Sequence, residues 1–235
     1  MIRGLNNYYG DTAAPNQKRA LTLADLALLR GDCDNDPDRF TGARDWCMYV
    51  FAFFGLLRIR EFCSAALMVR DVDLAMDFVT LTIQFSKTSL LPTPIMICAR
   101  ADILDPVTAC SRYKTLLPRQ MLMPSLPFFR AQPELSPPPS PAQFVVSLRA
   151  RLGRCRPDVE PTDWAGHSFR RGGASALQLA GVPEALIQAH GRWRSIAYRR
   201  YFEGTAVQRL MPTRAIPLLA GREVDTTRIS ISSRF

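Results

Sequence analysis

His167-Ser168-Phe169-Arg170 sets an imidazole and a guanidinium one helical turn apart, and the same stretch of chain goes on to an indole at Trp193 and a phenol at Tyr201. These side-chain types suit the breaking of a phosphodiester without a metal. The phenol is a nucleophile, the imidazole carries a proton, and the guanidinium and indole N–H donate to non-bridging phosphate oxygens. Cutting of a DNA strand is the reaction this set points to.

The rest of the composition agrees with a polyanion partner. The 235-residue chain carries 30 basic and 21 acidic residues, a net charge of +9, and such an excess suits nucleic acid. Basic residues are dense from Arg149 to Arg209, where few carboxylates lie nearby in sequence. No apolar run reaches the ~20 residues a membrane span needs, and the first residues lack a signal-peptide core, so an intracellular location is expected. Six cysteines without a C-x-x-C pair and two histidines exclude the usual zinc spacings and any disulfide framework. Neither a metal nor a small-molecule cofactor is implied.

The elements that must position these groups are mostly helical. Residues 1–20 are polar and form a linker or the remnant of a preceding domain. Leu21 to Leu29 has helical spacing behind a Thr cap and ends near Gly31, before an acidic loop from Asp32 to Asp38. The segment from Gly42 to Leu57 is apolar nearly all round and belongs at the centre of the core. A helix is expected from Arg60 to Leu67. Phe78 to Phe85 alternates like a strand, with Pro94 to Cys98 as its partner and Lys87 in the turn. Asp105-Pro106 opens a helix to about Leu117. The Pro-rich segment from Pro118 to Pro141 is a long loop or inserted linker. Helices follow from Ala142 to Leu152, from Asp163 or Ser168 to Leu179, from Pro183 to His190, and briefly from Ser195 to Phe202. The fold class is therefore mostly α with a small antiparallel β-sheet.

Several pieces, in order, resemble the catalytic domain of the tyrosine recombinase (phage integrase) family. They are Gly55-Leu56-Leu57-Arg58-Ile59-Arg60-Glu61-Phe62, Lys87 in its hairpin, His167-x-x-Arg170 with Arg171-Gly172-Gly173, Gly181-Val182-Pro183, and Gly191-Arg192-Trp193 followed by Tyr201. The Gly-Arg-Trp form looks most like recombinases of Crypton-type and DIRS-type mobile elements. The resemblance runs from about Leu21 to Phe202. It implies a catalytic domain over residues 21–210, with a loop at 118–141 and a C-terminal tail at 211–235.

That resemblance also implies roles. Arg58 and Arg170 are the forks on the scissile phosphate, Glu61 supports Arg58, and Tyr201 attacks phosphorus to give a 3′-phosphotyrosyl intermediate. His167 moves the phenolic proton, Lys87 protonates the leaving 5′-oxygen, and Trp193 donates its N–H where other members use His. Most members place the nucleophile where Phe202 stands here, one position beyond Tyr201; Tyr198 is the other candidate, and His190 is expected to be structural. The implied partner is double-stranded DNA, bound by a tetramer assembled through the segment from Leu210 to Phe235. The implied location is with genomic DNA, in the nucleus if the source is eukaryotic. Two rivals stay open: a DNA-binding protein whose chemistry has decayed or been domesticated, and a type IB topoisomerase-like enzyme.

Overall fold

A computed structural model describes residues 18–64, 67–84, 91–195 and 199. Helix α1 (Leu23–Asp34) starts on a reciprocal cap. Thr22 Oγ1 accepts from the Asp25 N–H at 3.1 Å, and the Asp25 carboxylate accepts from the Thr22 N–H at 2.9 Å. The helix runs through Gly31 to Asp34, so the first part of the expected acidic loop is helical. Asp32 is held from outside by Arg151 and Arg154, at 2.7 and 2.8 Å, and these ion pairs tie the last turn down beyond the glycine.

Helix α2 (Arg39–Phe54) opens on the Asp38 side chain, which accepts from the Phe40 N–H. Its residues from Trp46 to Phe53 are buried without exception, because α1 and the later helices over Pro106–Thr115 and His167–Leu179 surround it. Such a helix has no polar face to give up, and its all-round apolar pattern follows. The chain leaves α2 through Gly55 and turns at Leu56, whose φ of 47° is left-handed. Helix α3 (Ile59–Phe62) is much shorter than the helix expected from Arg60 to Leu67. Ser64 takes a left-handed φ of 58° and its N–H donates to the Pro139 carbonyl at 3.2 Å, which diverts the backbone from the helix.

Strands β1 (Val72–Leu74), β2 (Phe78–Ile83) and β3 (Thr93–Cys98) form an antiparallel sheet in sequence order. Val79 pairs with Ile97 and Leu81 with Ile95. These residues and Ile83 fill the inner face, as the alternation demands. Helix α4 (Pro106–Thr115) is capped by Asp105, whose carboxylate accepts from the Val107 and Thr108 N–H groups.

The Pro-rich segment has a 3-10 turn at Arg119–Leu122 and otherwise no regular structure, and it is a wall of the core. Phe128 and Phe129 are buried against Phe51 and Tyr113. Arg130 is fully buried, with Nη2 donating to the Met121 carbonyl at 3.0 Å. The Pro137 and Pro139 carbonyls accept from Ala131 and Ser64, so this run is occupied in holding the loop. Helix α5 (Pro141–Cys155) follows a Ser140 cap.

Helix α6 (His167–Leu179) lies against α2, and helix α7 (Glu184–Gly191) packs on α6. The approach of α6 to the segment before α1 requires Gly172, where a Cβ would overlap the Leu21 carbonyl, and its approach to α2 requires Gly173, where one would overlap the Phe53 carbonyl. The segment before α1 is fastened to the start of α6. The Arg19 N–H donates to Asp163 O at 2.7 Å, the Leu21 N–H to Ser168 O at 3.0 Å, and the Arg171 guanidinium to Lys18 O. No helix among the described residues is long and apolar enough to cross a membrane.

Candidate active site

The last turn of α2 organises the site. A helix end leaves carbonyls without intrahelical donors, and three basic side chains from α6 and the α7 end supply them here. His190 Nε2 donates to Phe54 O at 2.7 Å, Arg192 Nη1 to Gly55 O at 3.3 Å, and Arg192 Nη2 to Leu56 O at 3.3 Å. Arg170 Nη1 also donates to Leu56 O. Positive groups at a helix C-terminus are favoured by its dipole. The left-handed Leu56, which costs on the order of 1 kcal/mol, is thereby gripped by two arginines.

Arg58 follows two residues later as the cap of α3. Its backbone N–H donates to Glu61 Oε2 at 2.8 Å and its Nη1 to Glu61 Oε1 at 2.9 Å. Its side chain keeps 21% exposure while that of Glu61 keeps 3%. Arg58 is thus the guanidinium of the cluster that opens to solvent. Arg192 Nη2 donates to the same carboxylate, at 2.7 Å from Oε2, the oxygen that also accepts the Arg58 N–H.

Arg170 is buried. Besides Leu56 O, its Nη2 donates to Gly191 O, and its guanidinium lies over the Trp193 ring at 4.1 Å from the centroid. Gly191 gives the indole its place, because a Cβ there would run into the ring. In this arrangement the Arg170 fork addresses main-chain carbonyls, and the indole serves it as a stacking face.

His167, one turn before Arg170, is exposed by surface area yet sits close enough to surrounding protein to lose part of its hydration. That loss, with the positive charge of Arg170 and Arg58, lowers its pKa below the ordinary value and favours the neutral ring, the form able to accept a proton.

The structure therefore gathers Arg58, Glu61, His167, Arg170 and Trp193 at the junction of α2, α3, α6 and the end of α7. Lys87, Tyr198 and Tyr201 lie outside the described residues. The residue that the sequence did not single out is Arg192. It stands in the left-handed region, φ 57° and ψ 41°, at the end of α7. Its position between Gly191 and Trp193 was visible, but a basic residue in a basic stretch carries no sign that it is buried.

No known family profile matches the sequence, and no curated protein does either. Solved structures do match. XerA recombinase aligns over 87% of this chain and 68% of its own, at 15% identity and a TM-score of 0.60. The Tn1549 transposon integrase in complex with circular intermediate DNA aligns over 89% and 68%, at 14% identity and 0.58. XerH site-specific recombinase, in a post-cleavage complex with its palindromic difH substrate, aligns over 86% and 54%, at 16% identity and 0.59. This is the fold of tyrosine-recombinase catalytic domains. The recombinase fold is thus mostly helical with a three-stranded antiparallel sheet, as the sequence pattern implied. The chain spans about half the length of XerH.

Proposed function

We propose that this chain is the strand-cleaving domain of a tyrosine recombinase of the mobile-element type, which cuts and rejoins double-stranded DNA for integration or excision. The observation that supports it best is the meeting of Arg58, His167 and Arg170 at one place on a recombinase fold, where burial and then the two guanidiniums lower the pKa of His167. Tyr201 Oη attacks phosphorus, and the bond to the 5′-oxygen breaks as the phosphotyrosyl bond forms. His167 takes the phenolic proton, and Lys87 delivers one to the departing 5′-oxygen. Arg58 offers the exposed fork to the non-bridging oxygens. Arg170 joins it by turning an Nη from its carbonyl partners, with Trp193 alongside. Assembly as a tetramer on DNA through the segment from Leu210 to Phe235 belongs to the same proposal.

The test is a suicide substrate: a nicked duplex on which cleavage releases a short product and traps the covalent complex. A wild-type adduct that disappears in Tyr201→Phe and survives in Tyr198→Phe supports the reading. An adduct that persists in Tyr201→Phe refutes the nucleophile.

A second reading, a DNA-binding domain that no longer cleaves, draws on the engagement of both Arg170 Nη atoms with Leu56 and Gly191 carbonyls. It predicts salt-sensitive duplex binding without an adduct under any substrate geometry.

A further inference from the structure

The Glu61 carboxylate is shared by two arginines that play different parts. It is almost wholly buried: Oε1 accepts from Arg58 Nη1, and Oε2 accepts from both the Arg58 N–H and Arg192 Nη2. Arg58 and Glu61 alone would form a neutral pair, whose carboxylate repels an approaching phosphate nearly as much as the guanidinium attracts it. A second cation on the same carboxylate leaves the group with one net positive charge, and the partly exposed Arg58 is where that charge faces solvent.

Arg192 is an expensive residue for any lesser task. Its side chain keeps only 8% exposure, and its backbone is left-handed. Burial lowers its pKa against the opposing pull of Glu61. The Gly55, Leu56 and His190 carbonyls it meets could be capped by a neutral donor. What only a cation supplies is compensation for Glu61.

We propose that Arg192 is a positioning residue that sets the charge Arg58 presents to a DNA phosphate, by neutralising the carboxylate the two share. This rests on the strand-cleavage reading for the role of Arg58, but it concerns binding as well as chemistry and can be tested through either.

The experiment measures the affinity of the full chain for a short duplex of fixed sequence across a salt series, and adduct formation on the suicide duplex in parallel. Each phosphate neutralised contributes a slope of about −0.9 to log K against log salt. Arg192→Met should lose about one such increment, because Arg58 is then cancelled by Glu61, and should form adduct about tenfold more slowly or worse. Arg192→Lys should keep most of the slope. The double variant Arg192→Met with Glu61→Gln should recover both slope and rate, although it has lost more native contacts than the single one.

A purely structural Arg192 would leave the folded single variant with the wild-type slope, or make the double variant no better than the single; either result overturns the proposal. If Arg192→Met does not fold, Glu61→Gln decides alone: the slope should steepen, and an unchanged slope refutes the idea. A wild-type chain that forms no adduct but shows this slope pattern sinks the cleavage reading and leaves the role of Arg192 standing.

Discussion

Arg170 has two demands on one guanidinium. It must be available to phosphate in the proposed reaction, and it holds the Leu56 and Gly191 carbonyls in the fold. Arg170→Lys keeps the charge but cannot span both acceptors with one ammonium. It should cost about 2 kcal/mol in urea unfolding, since one charged hydrogen bond to buried main chain is lost although Arg192 still meets Leu56 O; an unchanged midpoint would show that the carbonyl contacts carry no weight. His167 gives a pH signature. Its pKa in the fold is depressed, whereas the unfolded chain takes up its proton at the ordinary value. Its stabilisation is therefore present above the ordinary histidine range and is lost as pH falls through the folded value. The ring should titrate below 6.5 by NMR, and His167→Gln should flatten the fall in stability between neutral and mildly acid pH. A midpoint at or above that ordinary value would refute both the partial burial of the ring and the nearness of the two arginines. His167 and Arg170 were legible because an imidazole one helical turn before a guanidinium stands out in a chain with only two histidines. The burial of Arg192 was not, because its partners Gly55, Leu56 and Glu61 lie more than a hundred residues away in sequence.

At the level of elements, glycines separate what local pattern tells from what packing decides. Gly31 looks like a helix stop but lies inside α1, and a methyl group added there would meet nothing within 4 Å. Gly31→Ala should raise stability by about 0.5–1 kcal/mol. Gly172 and Gly173 look like letters of a motif, yet each is where α6 touches backbone carbonyls. Alanine at either should cost about 2 kcal/mol or more, because backbone has to move, and should carry His167 and Arg170 away from Arg58. Thermal melts of the three variants check the contrast, and equal shifts would refute it. Helix α2 and strand β2 were legible because one is apolar all round and the other alternates. The early end of α3 was not, since it depends on Ser64 meeting Pro139 across the molecule.

For the whole molecule, the net charge of +9 overstates what is free to meet any polyanion. Much of the basic stretch that begins at Arg149 is answered by acids from α1, α2 and the turn between them. Arg151 contacts Asp32, Asp36 and Asp45 at 2.7, 2.6 and 3.0 Å, Arg154 pairs with Asp32, and Arg156 pairs with Asp25. Counting charges along the chain could not reveal this, because the partners lie in the first quarter of the sequence. Arg151→Met removes the guanidinium that three carboxylates share, leaving Asp32 to Arg154 and Asp45 to Arg44, and should cost about 3 kcal/mol at neutral pH. Burial pushes the Asp32 pKa up, but hydrogen bonds from Arg154 and Arg151 more than offset it, so the net shift is downward. That contribution is present above the ordinary carboxylate range and fades as pH falls through the folded value. The gap between wild type and variant should narrow in acid; a constant gap would refute an electrostatic origin.

The fastening of Lys18, Arg19 and Leu21 to Asp163, Ser168 and Arg171 makes the start of α6 a mechanical anchor. A pull on the chain upstream of Lys18 is not absorbed by a slack tether. It arrives as tension on the helix turn that carries His167 and Arg170.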